Sequence, residues 1–239
     1  MFPIRDHNPS LTTPYVRNGL IFLNVVLYLL TDPMLGGMTE LWDRLALYPA
    51  AVMHGEHEWG FLTHMFLHAG LIHLGGNMLF LWVFGDNLED QMGHIGFLIY
   101  YLACGFAAAA GQVWAAQEST IPMVGASGAI AGVMGGYLLL FPKAKVDVIA
   151  IIIIIIKRFT IPAWVLLLAW FGLQLFSTAM GQDDGVAYMA HAAGFIGGIL
   201  LAVPVFLRRG GPEFWKLTQG RPLYQPINYT PSRIPEVRR

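Results

Sequence analysis

The 239-residue chain reads as an all-α, polytopic membrane protein with six transmembrane helices and both termini in the cytoplasm. Three observations predict this. First, hydrophobic residues make up 56% of the sequence, and Asp, Glu, Lys and Arg only 12%. A soluble domain carries roughly 25% charged residues, so most soluble enzymes, nucleic-acid binders and disordered proteins are excluded. Second, uncharged runs cover 59–85, 91–117, 119–142, 159–182 and 185–207, with a shorter one over 18–31. About 20 apolar residues cross a bilayer as a helix. Third, the basic residues fall on one side. With the N-terminus inside, all of the 14 basic residues except Arg44 lie on cytoplasmic segments, as the positive-inside rule requires.

The elements follow in chain order. Residues 1–15 form a cytoplasmic N-terminal segment. Arg5, Asp6, Asn8, Pro9 and Pro14 precede the first apolar run, and no small-residue cleavage site follows Leu30. The run is therefore read as a retained helix rather than a signal peptide. It reaches full length over 16–33 only if Val16, Arg17 and Asn18 join it, with Arg17 snorkelling to the interface. The loop 34–69 mixes Leu41, Trp42, Leu45, Leu47 and Tyr48 with charges, which places it in the outer interface. Spans follow at 70–88, 93–116, 124–142, 161–180 and 186–207, completing a membrane domain over 16–207. The inner loop 143–160 holds Ile151 to Ile156. Six consecutive β-branched residues predict a strand or a buried extended segment. The tail 208–239 is basic and rich in proline, and reads as a flexible cytoplasmic segment near anionic lipid. Cys104 is the single cysteine, so no internal disulfide forms.

Polar residues inside a bilayer are expensive and need a reason. No Asp, Glu, Lys or Arg stands inside the long runs, which argues against carboxylate-based pumps, transporters and aspartyl proteases. The remaining polar residues are His64, His68, His73, Asn77, His94, Ser127, Gln174 and His191. Ser127 sits in Gly125-Ala126-Ser127-Gly128, at the head of a small-residue ridge of Gly128, Gly132 and Gly136. His191 follows Ala190, the head of a second ridge with Gly194 and Gly198. Such ridges let helices pack backbone to backbone. Both spans run from outside to inside, so facing ridges bring serine and histidine together just below the outer surface. The plainer alternative is two packed helices carrying an incidental Ser and His. His73 and Asn77, spaced i, i+4, share a helix face. They suit an oxyanion hole, or equally a hydrogen-bonded pair that glues helices. His54, His57, His64, His68 and His73 crowd together in a way that raises zinc. The segment His54-Gly55-Glu56-His57 is not the metalloprotease pattern, and no carboxylate or thiolate stands at the same depth. Interfacial histidines are the preferred reading, with no metal and no cofactor.

With these motifs in order, the chain resembles the rhomboid intramembrane serine proteases over about 16–207. His68 followed by His73-Leu74-Gly75-Gly76-Asn77 resembles the family's H-x-x-x-x-H-x-x-x-N. Gly85-x-x-x-Glu89-x-x-x-Gly93 resembles its turn between the second and third spans. Gly125-Ala126-Ser127-Gly128 resembles its nucleophile motif, and Ala190-His191-Ala192-Ala193-Gly194 its A-H-x-x-G. The resemblance implies a dyad of Ser127 as nucleophile and His191 as base. It implies an oxyanion hole of His73, Asn77 and the Ser127 backbone N–H. His68, Gly125, Gly128 and Glu89 are implied as supporting residues. The implied substrates are transmembrane segments of other membrane proteins, entering sideways from lipid past span 161–180. The implied residence is the plasma (inner) membrane, with the site opening outward. Nucleic acid is not an implied partner, and the oligomeric state stays open. The runner-up is a catalytically silent relative that binds transmembrane helices. Two departures stand out. Ala131 occupies the position where some members carry an aromatic residue against the histidine, which implies either a larger space beside His191 or its filling by another side chain such as Tyr188 or Phe195. Trp42-Asp43-Arg44 and Trp59-Gly60 stand where the first outer loop often has adjacent Trp and Arg.

Overall fold

A computed structural model describes residues 2–32, 37–152, 155–181, 185–218 and 220. The chain is mostly helical. The six predicted spans correspond to α1 (Tyr15–Thr31), α5 (Leu71–Met92), α6 (His94–Ala115), α7 (Ser127–Leu140), α8 (Ala163–Ala179) and α9 (Tyr188–Arg208). Among the described residues between α1 and α5 lie three short helices, α2 (Thr39–Leu45), α3 (Pro49–Met53) and α4 (Gly60–Thr63), and a 3-10 turn over His64–Phe66. By length and composition α6 and α9 can each cross a membrane. The stretch Gly60–Phe66 passes the same test jointly with α5, bent by 94°. α1, α7 and α8 are shorter apolar helices.

α7 is the axis of the molecule. Every residue from Gly128 to Tyr137 is buried, as expected for a helix that is apolar all round. Glycine permits this close packing. A Cβ on Gly194 would lie 2.2 Å from the Gly128 carbonyl oxygen, and one on Gly198 2.1 Å from that of Gly132. The two small-residue ridges therefore face each other at backbone contact. Tyr100 of α6 closes the seam, its hydroxyl reaching the carbonyl oxygens of Gly132 (2.7 Å) and Gly198 (2.9 Å).

The all-α reading needs correction. A three-stranded antiparallel sheet orders as β1 (Phe2–Asp6), β2 (Lys145–Ile152) and β3 (Ile155–Pro162). At the closing end of the β2–β3 pair Ile151 stands opposite Ile156 and Ile152 opposite Ile155, and the middle of the isoleucine run, 153–154, lies outside the described residues. Side chains alternate faces along a strand. Val146 and Val148 are buried in the core with Phe159 and Ile161 against it. Asp147 and Thr160 pair across the strands on the opposite face. β1, in the segment read as a plain N-terminal extension, pairs with β2. The tail is also partly structured. Its first turns form α10 (Pro212–Thr218), with Phe214 buried and Trp215 donating to the Leu139 carbonyl. The remainder of the tail, residues 219 and 221–239, lies outside the described residues.

Arg17 does not snorkel. It is buried, donates from Nη1 to the Trp82 carbonyl at 2.8 Å, and lies 4.0 Å over the Trp82 ring. Glu89, also buried, accepts from the backbone N–H groups of Val16 (3.0 Å) and Arg17 (2.8 Å). These are orphan donors of the first turn of α1, so Glu89 caps α1 from α5. The loop between α1 and α5 is anchored without an adjacent Trp and Arg. Trp59 Nε1 donates to the Arg44 carbonyl at 2.6 Å, and Leu47 bridges Met123.

Candidate active site

Ser127 opens α7, where the first backbone N–H groups have no partner within the helix. Gly125 delivers the chain to that point. Its φ of +127° is a conformation that L side chains rarely adopt. A Cβ there would lie 2.8 Å from His73 Nε2 and 3.5 Å from Ser127 Oγ. The His73 ring and the serine hydroxyl thus flank the same glycine. Gly128 permits α6 to approach, since a Cβ there would stand 2.4 Å from that of Ala108.

His191 sits in the first turn of α9, and the ridge contacts set it beside α7. Its Nε2 lies 2.8 Å from Ser127 Oγ. Its Nδ1 lies 2.8 Å from Oε1 of Gln174 on α8. Ser127, His191, His73, Asn77, Gly125 and Gly128 all line one cavity of about 860 Å³. Three of the four motifs meet at this cavity, whereas Glu89 of the fourth caps α1.

Of the five clustered histidines, His64 and His68 are buried, His57 and His73 partly so, and His54 is exposed. His64 is 1% exposed and His68 2%. His64 Nδ1 pairs with the Gly60 carbonyl at 2.8 Å. Asn77 Nδ2 lies 2.9 Å from His68 Nε2, and the rings of His68 and His73 meet edge to face at 5.1 Å. His68 therefore holds Asn77 from below, while Asn77 and His73 face the cavity.

Sequence reasoning missed two partners of His191. Gln174 stood among the polar residues of the apolar runs but had no role assigned. Trp170, one turn earlier on α8, places its ring 5.7 Å from His191. It gives His191 an aromatic neighbour from α8. Tyr188 contributes an edge contact at 6.5 Å. Phe195 instead stacks on Phe171 at 4.6 Å, one turn deeper. A glutamine four residues after a tryptophan was the available signal, because i, i+4 residues share a helix face.

The rhomboid domain model matches residues 55–208, which span the cavity-lining residues from His64 to His191. The chain belongs to the rhomboid family. RHOMBOID-like protein 6, mitochondrial, of Arabidopsis thaliana is 40% identical over 108 residues, covering 45% of this chain and 34% of that protein. RHOMBOID-like protein 7 of the same plant is 32% identical over 193 residues, covering 79% and 56%. Putative rhomboid protease YdcA of Bacillus subtilis is 31% identical over 165 residues, covering 68% and 74%. The chain thus spans a third to just over half of the plant relatives' length, and more of the bacterial one.

Proposed function

We propose that this protein is an intramembrane serine endopeptidase that cleaves transmembrane segments near the outer face of its membrane. The 2.8 Å contact between Ser127 Oγ and His191 Nε2 carries the reading. His191 takes the Ser127 proton, and the alkoxide oxygen attacks a peptide carbonyl carbon. The negative charge that forms on the carbonyl oxygen is met by His73, Asn77 and the Ser127 N–H. His191 then passes its proton to the leaving amine nitrogen, and water releases the acyl-enzyme. Neutral imidazole suits this exchange because its ordinary pKa lies near physiological pH.

In this reading α1, α5, α6, α7, α8 and α9 are the six spans of a membrane domain over 16–207, with N-in, C-in orientation. The cytoplasmic segments are 1–15 and 208–239. The protein resides in the plasma membrane with its cavity open to the extracytoplasmic side. Substrates enter laterally beside α8. A helix hides its carbonyls in its own hydrogen bonds, so segments weakened by glycine are favoured.

The test is cleavage of a model single-pass substrate by purified protein in liposomes, with Ser127→Ala and His191→Ala alongside. Cleavage by the wild type alone supports the dyad. Cleavage surviving in Ser127→Ala overturns it. No cleavage, together with no fluorophosphonate labelling of Ser127, points instead to a silent relative that binds transmembrane helices.

A further inference from the structure

We propose that Gln174 is the positioning residue for His191, fixing which imidazole nitrogen carries the proton and tying the base to the seat of α8. The inference rests on the protease reading of the same cavity. Gln174 is 5% exposed. Its Nε2 donates to the Trp170 carbonyl at 3.2 Å, which turns Oε1 toward His191 Nδ1 at 2.8 Å. A carbonyl oxygen only accepts, so the proton of neutral His191 resides on Nδ1. Nε2 is left with its lone pair, 2.8 Å from Ser127 Oγ. That is the tautomer a general base needs.

A neutral amide here does part of the work a carboxylate does in a three-residue serine site. It orients the ring and accepts from the imidazolium that forms when Ser127 Oγ–H gives its proton to Nε2. It adds no charge to the apolar interior, where an unpaired carboxylate is costly.

α8 also supplies the Trp170 ring against His191. Both supports of the base therefore come from one helix, which packs mainly on α9 through the Phe171–Phe195 stack. Its other side carries exposed Trp164, Leu168, Leu173 and Phe176. A displacement of α8 removes the hydrogen bond and the ring contact together, so the base is set only when α8 is seated. Among the described residues, the titratable side chains facing His191 are His73 from α5 and Tyr188 from α9 itself. α8 presents none.

The experiment uses full-length protein in liposomes, as wild type, Gln174→Leu and Gln174→Glu. The first readout is ¹⁵N NMR of histidine-labelled protein at alkaline pH, with His191 assigned by its loss in His191→Ala. Wild type shows a protonated Nδ1 and an unprotonated Nε2. Gln174→Leu shifts population to the Nε2–H form. An Nε2–H form in the wild type, or an unchanged tautomer in Gln174→Leu, overturns the inference whether or not the protein cleaves anything. The second readout is cleavage kinetics across pH. Gln174→Leu lowers kcat by roughly ten- to hundredfold, the range for one hydrogen bond to a charged group, with KM within about twofold. Gln174→Glu recovers activity and moves the acid limb up by about one pH unit or more, because a carboxylate favours imidazolium. Wild-type kcat in Gln174→Leu, or an unmoved acid limb in Gln174→Glu, overturns it. Loss of all cleavage and of fluorophosphonate labelling in the wild type sinks the protease reading, and the tautomer alone then decides the role of Gln174.

Discussion

Asn77 carries two duties that one substitution can separate. Its amide faces the cavity and also pairs with His68 Nε2 at 2.9 Å. Asn77→Ala removes the proposed oxyanion donor, which is expected to cost roughly 10²–10³ in rate. It also strands a buried histidine nitrogen, at about 1–3 kcal/mol. His68→Ala loses the support but keeps the donor. Cleavage rates and thermal midpoints of the pair check this: both fall for Asn77→Ala, whereas His68→Ala loses mainly thermal stability. Equal rate losses in the two variants count against direct oxyanion contact by Asn77. At this scale the meeting of Ser127, His191, His73 and Asn77 at one cavity was legible because each lies in a short motif whose spacing is local. Gln174 was not. The i, i+4 spacing from Trp170 put both on one helix face, but their partner His191 lies 17 residues away on another helix. Arg17 misled for a related reason. A cation at the start of an apolar run looks like a snorkelling anchor until the Trp82 carbonyl and ring appear beside it.

At the scale of elements, the pairing of α7 with α9 decides whether the site exists. A Cβ on Gly198 would meet the Gly132 oxygen at 2.1 Å and its Cα at 2.4 Å. These are backbone atoms, so the helices must part. Gly198→Ala is expected to cost about 1–3 kcal/mol and to reduce cleavage, because the move separates His191 from Ser127. Gly19→Ala on α1, where nothing lies within 4 Å, leaves cleavage unchanged and is neutral or slightly stabilising through helix propensity. Thermal midpoints and initial rates of the two variants give the comparison. The ridges were readable as a repeat of small residues every fourth position. The hairpin was half readable, since the isoleucine run announced extended structure but not its partner. β1 was not readable. Phe2–Asp6 contains Pro3 and two charges, too short and too mixed for a period-two signal to rise above its composition.

Taken as a whole, the molecule closes its proposed cytoplasmic side with two carboxylates of opposite behaviour, and their balance makes stability depend on pH. Asp6 of β1 accepts from Tyr137 Oη at 2.7 Å. Burial pushes its carboxyl up to about 7 despite that hydrogen bond, and nearby Asp86 adds to the rise. For Asp147, burial alone would raise the carboxyl. Hydrogen bonds from Thr160, His7 and Arg158 together outweigh burial and hold it at about 2. The signs then follow from proton linkage. An acid whose folded pKa is raised destabilises the fold as pH climbs from about 4, the unfolded value, to about 7. An acid whose folded pKa is depressed stabilises above about 4, and that contribution is lost as pH falls toward 2. Asp6→Asn keeps an acceptor for Tyr137 and removes the cost of ionisation. Its thermal midpoint should exceed the wild type's at pH 8 and converge on it near pH 4. Asp147→Asn should do the reverse, lying below the wild type at pH 7 and converging near pH 2. Midpoints across this range in one detergent decide the matter. Parallel curves for Asp6→Asn and the wild type would show that the Tyr137 contact does not hold a protonated carboxyl, and that β1 is joined to α7 by shape alone.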